Sequence, residues 1–244
     1  MGAGVLVGVV GISEHRDAAK RIIDCLVAGL LLVALLPLIV LVAIAIKLDS
    51  PGPVFYRCRR VGFRGSELAM LKFRKMTQGA GGLALTTAGD ARFTRVGRLL
   101  AATKLDELPQ LWHVLRGEMS LVGPRPEDPE FVALYPAQYD AILNVKPGVT
   151  GLCQIAFIRE SKLLDPDDAV ASYITRLLPA KVELDVLYAQ QRSLRMDLGI
   201  LAWTAVAILR RKSVTLDRNS GRLALRRRSS SPVAQHNPVE EPGC

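Results

Sequence analysis

The longest apolar stretch runs from Cys25 to Ile46 without a single charged residue. A helix of that length reaches across bilayer hydrocarbon, which takes about 20 residues. Pro37 lies inside it. A proline there removes one backbone N–H and crowds the preceding turn, so the helix is expected to break at Pro37. Basic residues flank both ends: Arg16, Lys20 and Arg21 before, and Lys47, Arg57, Arg59, Arg60 and Arg64 after. A spanning helix normally concentrates such residues on one side. A helix that enters, bends and returns to the same face satisfies both flanks. A kinked spanning helix fits the apolar pattern equally well.

Asp49-Ser-Pro-Gly-Pro53 interrupts the chain, and residues 49–212 then pattern as a compact domain. Arg60-Val-Gly-Phe-Arg-Gly65 reads as a tight turn between strands, and Leu71-Lys-Phe-Arg-Lys-Met76 as a short edge strand or extended segment with alternating cations. Gly79 to Gly89 reads as a surface loop without a phosphate-loop motif. Leu108, Leu111, Trp112 and Leu115 recur as one apolar helix face. Asp106 suits the N-cap of that helix, Pro109 its first turn and Gly117 its termination. Pro129 to Tyr139 is expected to form a short helix with turns, and Lys146-Pro-Gly-Val-Thr-Gly151 a turn. Asp167 to Gln191 has the spacing of a longer helix interrupted by Pro179. Asp197 to Leu209 is apolar, too short to span, and edged by Arg210-Arg-Lys212, which fits an interfacial helix or a core helix alike. Residues 1–15 lack the basic lead of a signal peptide and read as an ancillary N-terminus. Residues 213–244 are rich in Arg, Ser and Pro with little to bury, and are expected to be a disordered basic tail.

Charge narrows the partners. The net charge of +9 and pI near 9.7 point to an anionic ligand or surface. Aromatic residues make up only 5% of the chain and show no stacking cluster, so nucleic acid is not the expected partner. Cys25, Cys58, Cys153 and Cys244 are dispersed, which argues against a metal-thiolate site or a disulfide framework.

The candidate chemistry lies between Thr103 and Glu127. Asp106 and Glu107 stand where free N–H groups and the helix dipole favour negative charge. Such a pair is most often a cap. Beside it, Pro124 and Pro126 restrict the backbone around Arg125, and a guanidinium fixed in this way suits bidentate phosphate recognition. Lys72, Arg74, Arg92 and Arg95 add cations from neighbouring segments.

The segment LDELPQLWHVLRGEMSLVGPRPE closely resembles the signature of the bacterial sugar transferases, the monotopic phosphoglycosyl transferases. Lys72-Phe-Arg74, Asp90-x-Arg-x-Thr-x-x-Gly97, the Lys146-Pro-Gly turn and Lys181 to Tyr188 match further family segments, so the resemblance runs from Arg16 to Lys212. It implies an α/β fold, mainly helical with short strands. A re-entrant membrane helix over 16–48, broken at Pro37, would carry a compact cytoplasmic catalytic domain with interfacial helices. The resemblance further implies transfer of a sugar-1-phosphate from a UDP-sugar to undecaprenyl phosphate, with UMP released, at the start of exopolysaccharide, O-antigen or glycoconjugate synthesis. Asp106 would be the nucleophile and would hold Mg²⁺. Glu107 would assist the acceptor or the metal, and Arg125, Lys72, Arg74 and Arg92, with Pro124 beside them, would bind phosphate. The implied location is the cytoplasmic face of the bacterial inner membrane, with both termini cytoplasmic. Inner-membrane lipid is the implied surroundings; downstream glycosyltransferases and a homodimer are further candidate partners. The chain departs from the family at Ala101, where an arginine is frequent, and at Cys58, where a glutamine is frequent. Lys104 is a candidate to restore the lost charge. The alternatives are a catalytically weakened homologue and a basic membrane-anchored binding protein.

Overall fold

The computed structural model describes residues 3–81, 85–87, 89–210, 214–216 and 223–225. Helix α1 (Ala3–Ala34) is followed after a break at Leu35 by α2 (Leu36–Asp49). The stretches Asp17–Ala34 and Leu36–Asp49 meet at 59°. Pro37 sits in the first turn of α2, so the break falls just before it, where the missing N–H and the ring disrupt the ladder. Residues 3–15, part of the expected ancillary N-terminus, extend α1 without interruption. Among the described residues no single helix is long and apolar enough to cross a membrane, whereas the bent pair together is.

The globular part begins with a hairpin of β1 (Phe55–Val61) and β2 (Glu67–Phe73), antiparallel from Phe55↔Phe73 to Val61↔Glu67. The expected turn closes it, with Arg64 at φ 55° and Gly65 at φ 76°. Strand β2 ends at Phe73, and the expected edge segment continues beyond it to an isolated bridge between Met76 and Phe93. Helix α3 (Arg95–Thr103) follows, capped by Thr94, whose Oγ1 accepts from the Gly97 N–H at 2.9 Å. The chain then turns through Lys104, at φ 62°, into a single 3-10 turn, Leu105–Glu107, before α4 (Gln110–Arg116). The expected N-cap at Asp106 is therefore not formed. A cap there would bond the N–H two or three residues on, but the Leu108 N–H donates to the Leu105 carbonyl at 3.2 Å and Pro109 has none. Gly117 ends α4 at φ 81°, as expected.

Strand β3 (Ser120–Val122) leads into α5 (Pro129–Val132), α6 (Pro136–Leu143) and β4 (Gly148–Thr150). Lys146 to Gly151, expected as a simple turn, pairs in parallel with β3. The Gly148 N–H donates to the Pro124 carbonyl at 2.8 Å, and a Cβ on Gly148 would fall 2.1 Å from the Gly123 nitrogen. Only glycine lets the two backbones approach so closely. Then come α7 (Leu152–Ala156), α8 (Ala169–Ser172), a π-helical turn over Tyr173–Leu177, α9 (Leu178–Gln191) and α10 (Leu194–Arg210). Pro179 occupies the first turn of α9, which explains why the interruption precedes it. Within the segment expected to be disordered, β5 (Val214–Leu216) and β6 (Leu223–Leu225) pair antiparallel, and the remainder of 213–244 lies outside the described residues.

One side of the bent pair docks on the domain. Ala28, Val42 and Ile46 are buried, and Arg21 donates to the carbonyls of Val114 and Leu115 at the C-terminus of α4. Asp24 is buried too and accepts from Ser120 Oγ at 2.6 Å, while Lys20 pairs with Asp197 at 2.7 Å. The other side is bare: Leu26, Leu30, Val33, Leu41 and Leu48 are all more than 60% exposed. A continuous apolar surface of that kind marks a membrane or interaction face. Helix α10 divides similarly, with Ile200 and Ala207 buried and Leu198 outward. In α4 the buried face is Gln110, Leu111, His113 and Val114, whereas Trp112 is exposed. His113 goes inside because both ring nitrogens are satisfied: Nε2 accepts from the Leu71 N–H at 3.0 Å and Nδ1 meets Glu118.

Gly97 links the fold to the site. A Cβ there would stand 1.8 Å from the Lys75 carbonyl oxygen, so α3 packs this closely on the end of the hairpin only with glycine. Gly97→Ala is expected to destabilise by about 1–3 kcal/mol, seen as a lower Tm of the detergent-solubilised protein. An unchanged Tm would show that the contact is not needed.

Candidate active site

A cleft of about 1040 Å³ opens between the β1–β2 hairpin, the end of α3, the 3-10 turn and the Gly123-Pro-Arg-Pro126 segment. Asp106 lies in its wall with only 2% of its surface exposed. Its Oδ2 pairs with Lys75 Nζ at 3.1 Å, while Oδ1 is buried without a hydrogen-bond partner. Glu107 Oε1 meets Lys72 Nζ at 3.1 Å and Arg125 Nη1 at 3.8 Å. Burial opposes the charge on Glu107, but Lys72 and Arg125 outweigh it and hold the carboxyl well below the usual range. Glu107 is thus a fixed anion that aligns two cations. Lys104 and Ala101 line the same cleft, so Lys104 stands where it can replace the charge that Ala101 lacks.

Each expected site residue has a definite place. Lys72, Arg125 and Arg92 line the cleft, and Arg92 is engaged with Asp90 at 2.6 Å and with the Leu85 carbonyl at 2.9 Å. Arg74 forms part of the wall, but its guanidinium is turned to the Ser50 carbonyl at 2.8 Å and the Pro51 carbonyl at 2.5 Å. It braces the loop after α2. The reason is that β2 stops at Phe73, so the strict alternation that would put Lys72 and Arg74 together fails. Lys75 comes round to Asp106 instead, and sequence reasoning had given it no role. Pro124 does not line the cleft; its carbonyl holds β4, which fixes the backbone leading to Arg125.

Behind Arg125 lies a buried polar network. The Arg125 N–H donates to Asp185 Oδ2 at 3.3 Å. Tyr173 OH donates to Glu127 at 2.6 Å, and Lys181 Nζ reaches Glu127 and Glu160, each at 3.3 Å. Burial would raise the Glu127 pKa, but Lys181 and the Tyr173 hydrogen bond bring it to about 2. At Asp185 burial outweighs the lowering by Lys181 and by the Arg125 N–H, and pushes the carboxyl up to about 8. These residues were invisible to motif reasoning beyond the family-like run from Lys181 to Tyr188. Their signal would have been charged residues within an apolar helix period.

Among the described residues no cluster of three or more Asp, Glu, His or Cys is arranged to hold a metal. What the site offers is one unpartnered, buried carboxylate oxygen on Asp106. That fits Mg²⁺, which keeps several waters and is typically bound by one or two carboxylates together with substrate phosphates.

The family model described as bacterial sugar transferase matches residues 15–211. The chain belongs to the bacterial sugar transferase family. It is therefore a transferase by family, and curated members resemble it over most of its length. It is 40% identical over 199 residues to the UDP-glucose:undecaprenyl-phosphate glucose-1-phosphate transferase of Caulobacter vibrioides, covering 79% of this chain and 70% of that protein. It is 42% identical over 202 residues to the undecaprenyl-phosphate glucose phosphotransferase of Komagataeibacter xylinus, covering 79% of this chain and 36% of that protein. It is 37% identical over 207 residues to the exopolysaccharide production protein ExoY of Sinorhizobium fredii, covering 78% of this chain and 85% of that protein. The chain thus spans most of two of these relatives and about a third of the other.

Asp185 yields a pH test. Its folded-state pKa lies above the ordinary 3.8, so its contribution to stability is largest below that value and is lost as pH rises to about 8. Asp185→Asn has no proton to lose and keeps an acceptor for the Arg125 N–H. Its Tm relative to the parent should climb from about pH 5 to about pH 8 and level off above. A difference that stays flat across this window would refute the raised pKa.

Proposed function

We propose that the chain transfers a sugar-1-phosphate from a UDP-sugar to undecaprenyl phosphate, releasing UMP, and so starts assembly of an exopolysaccharide or related glycan. The reading rests chiefly on one observation: the unpartnered Asp106 oxygen in the wall of a cation-lined cleft of about 1040 Å³, large enough for a nucleotide sugar. Asp106 attacks the phosphorus nearest the sugar. The bond from that phosphorus to the bridging oxygen breaks, UMP leaves with the electron pair, and an aspartyl phosphosugar remains. A phosphate oxygen of the polyprenyl phosphate then attacks the same phosphorus and frees the Asp106 carboxylate.

Such chemistry depends on position and on neutralising developing charge. Lys75 orients Asp106, while Lys72 and Arg125, aligned by Glu107, face the diphosphate. Glu107 is too firmly ionised to be a good proton acceptor, and the acceptor phosphate needs none. Bound Mg²⁺ would supply further neutralisation of the diphosphate, held by Asp106. The relatives' names make UDP-glucose the first donor to try, and the relative named for exopolysaccharide production supports the pathway class.

The bent pair α1–α2 is read as a re-entrant anchor at the cytoplasmic face of the inner membrane, its bare apolar side in lipid. This brings a soluble donor and a lipid-borne phosphate to one carboxylate.

Purified protein given Mg²⁺, UDP-glucose and undecaprenyl phosphate should release UMP. Asp106→Asn should lower that release by at least about a thousandfold and abolish covalent labelling by donor. Retained release in the variant would remove Asp106 as nucleophile, whereas no release from the parent protein would favour the binding-protein alternative. For topology, single cysteines placed at the two ends of the 25–46 run should react with an impermeant reagent from the cytoplasmic side only. Reaction of either end from outside would make the helix a through-span.

A further inference from the structure

A second, mainly apolar groove of about 250 Å³ adjoins the cleft. Its walls include Leu31 and Leu35 at the bend of α1, Leu111 of α4, Ile155 of α7, and Leu201 and Ile208 of α10. The charged residues that the two cavities share are Lys104, Glu107, Arg125 and Glu160. At this junction Glu107 is paired with Lys72 and Arg125, and Glu160 with Lys181. Lys104 makes no ion pair with any described residue. It is a non-glycine residue held at φ 62°, a conformation that costs about 1–2 kcal/mol, and burial disfavours its charge. A strained, desolvated and unpaired ammonium at the meeting point of an apolar groove and a polar cleft is matched by an amphiphile with an anionic head.

Building on the transfer reaction proposed above, we propose that this groove seats the head end of the polyprenyl phosphate acceptor, its first isoprene units between the bend of α1 and α10, with Lys104 receiving its phosphate. The groove is smaller than the ~300–1,000 Å³ of pockets that hold a drug-sized ligand, so it takes only the head end. The remaining isoprenoid leaves along the exposed apolar side of α1 and α2. The protein therefore reads phosphate and first isoprenes, not chain length.

The test uses the full chain in detergent and a short prenyl phosphate carrying a photoreactive diazirine on its second isoprene unit. This readout needs no turnover, so it stands apart from the fate of the transferase reading. Crosslinks should map to residues 149–158 and 201–208. An unlabelled prenyl phosphate should compete, while the matching prenol and dioleoyl phosphatidate should not. Crosslinks confined to the outer face of α1, or equal competition by phosphatidate, would overturn the proposal. Kinetics supply a second arm: Lys104→Met should raise the acceptor KM about tenfold or more while donor KM moves little, and Lys104→Arg should restore it. An equal rise in both KM values would assign Lys104 to the donor instead. Specific crosslinks without UMP release would leave the groove standing and remove the transferase reading.

Discussion

Burying a carboxylate is costly unless its charge is met, and Asp106 is met on one oxygen only. Much of the molecule answers that imbalance. Lys75 holds one oxygen, and the cations of the cleft keep the surroundings positive. Glu107 keeps Lys72 and Arg125 from repelling each other out of line. Arg125 in turn needs a fixed backbone, supplied by the β3–β4 pairing and by Asp185, and a fixed electrostatic background, supplied by Glu127, Lys181 and Glu160. The second Asp106 oxygen stays buried and unpartnered because its neighbours bond elsewhere.

How much of this was legible in the sequence follows from range. Local signals spoke clearly: the break at Pro37, the turn at Gly65 and the end of α4 at Gly117 each follow from one residue's backbone chemistry. Family-like segments located Asp106, Glu107 and Arg125 in one cleft. What escaped depends on contacts between distant segments. The alternation of Lys72 and Arg74 fails because β2 ends against the loop after α2, and that exchange brings Lys75 to Asp106. The turn at Lys146 became a strand because Gly123, far away in sequence, offers a backbone with no side chain in the way.

The same holds for the first helix. Its apolar run is plain in the sequence, but the polar residues that bind it to the domain precede that run and look like ordinary flanks. Asp24, Lys20 and Arg21 reach Ser120, Asp197 and the carbonyls that end α4. Tyr188 closes the group by donating to Asp197 at 2.6 Å.

This docking decides what can be cut. Removing residues up to 48 to obtain a water-soluble fragment would uncover Ser120 and Asp197, strip the cap from α4 and open the cavity floor formed by Leu31 and Leu35. The first helices are a wall of the cavities as much as an apolar outer surface, and a shortened chain would lose that wall.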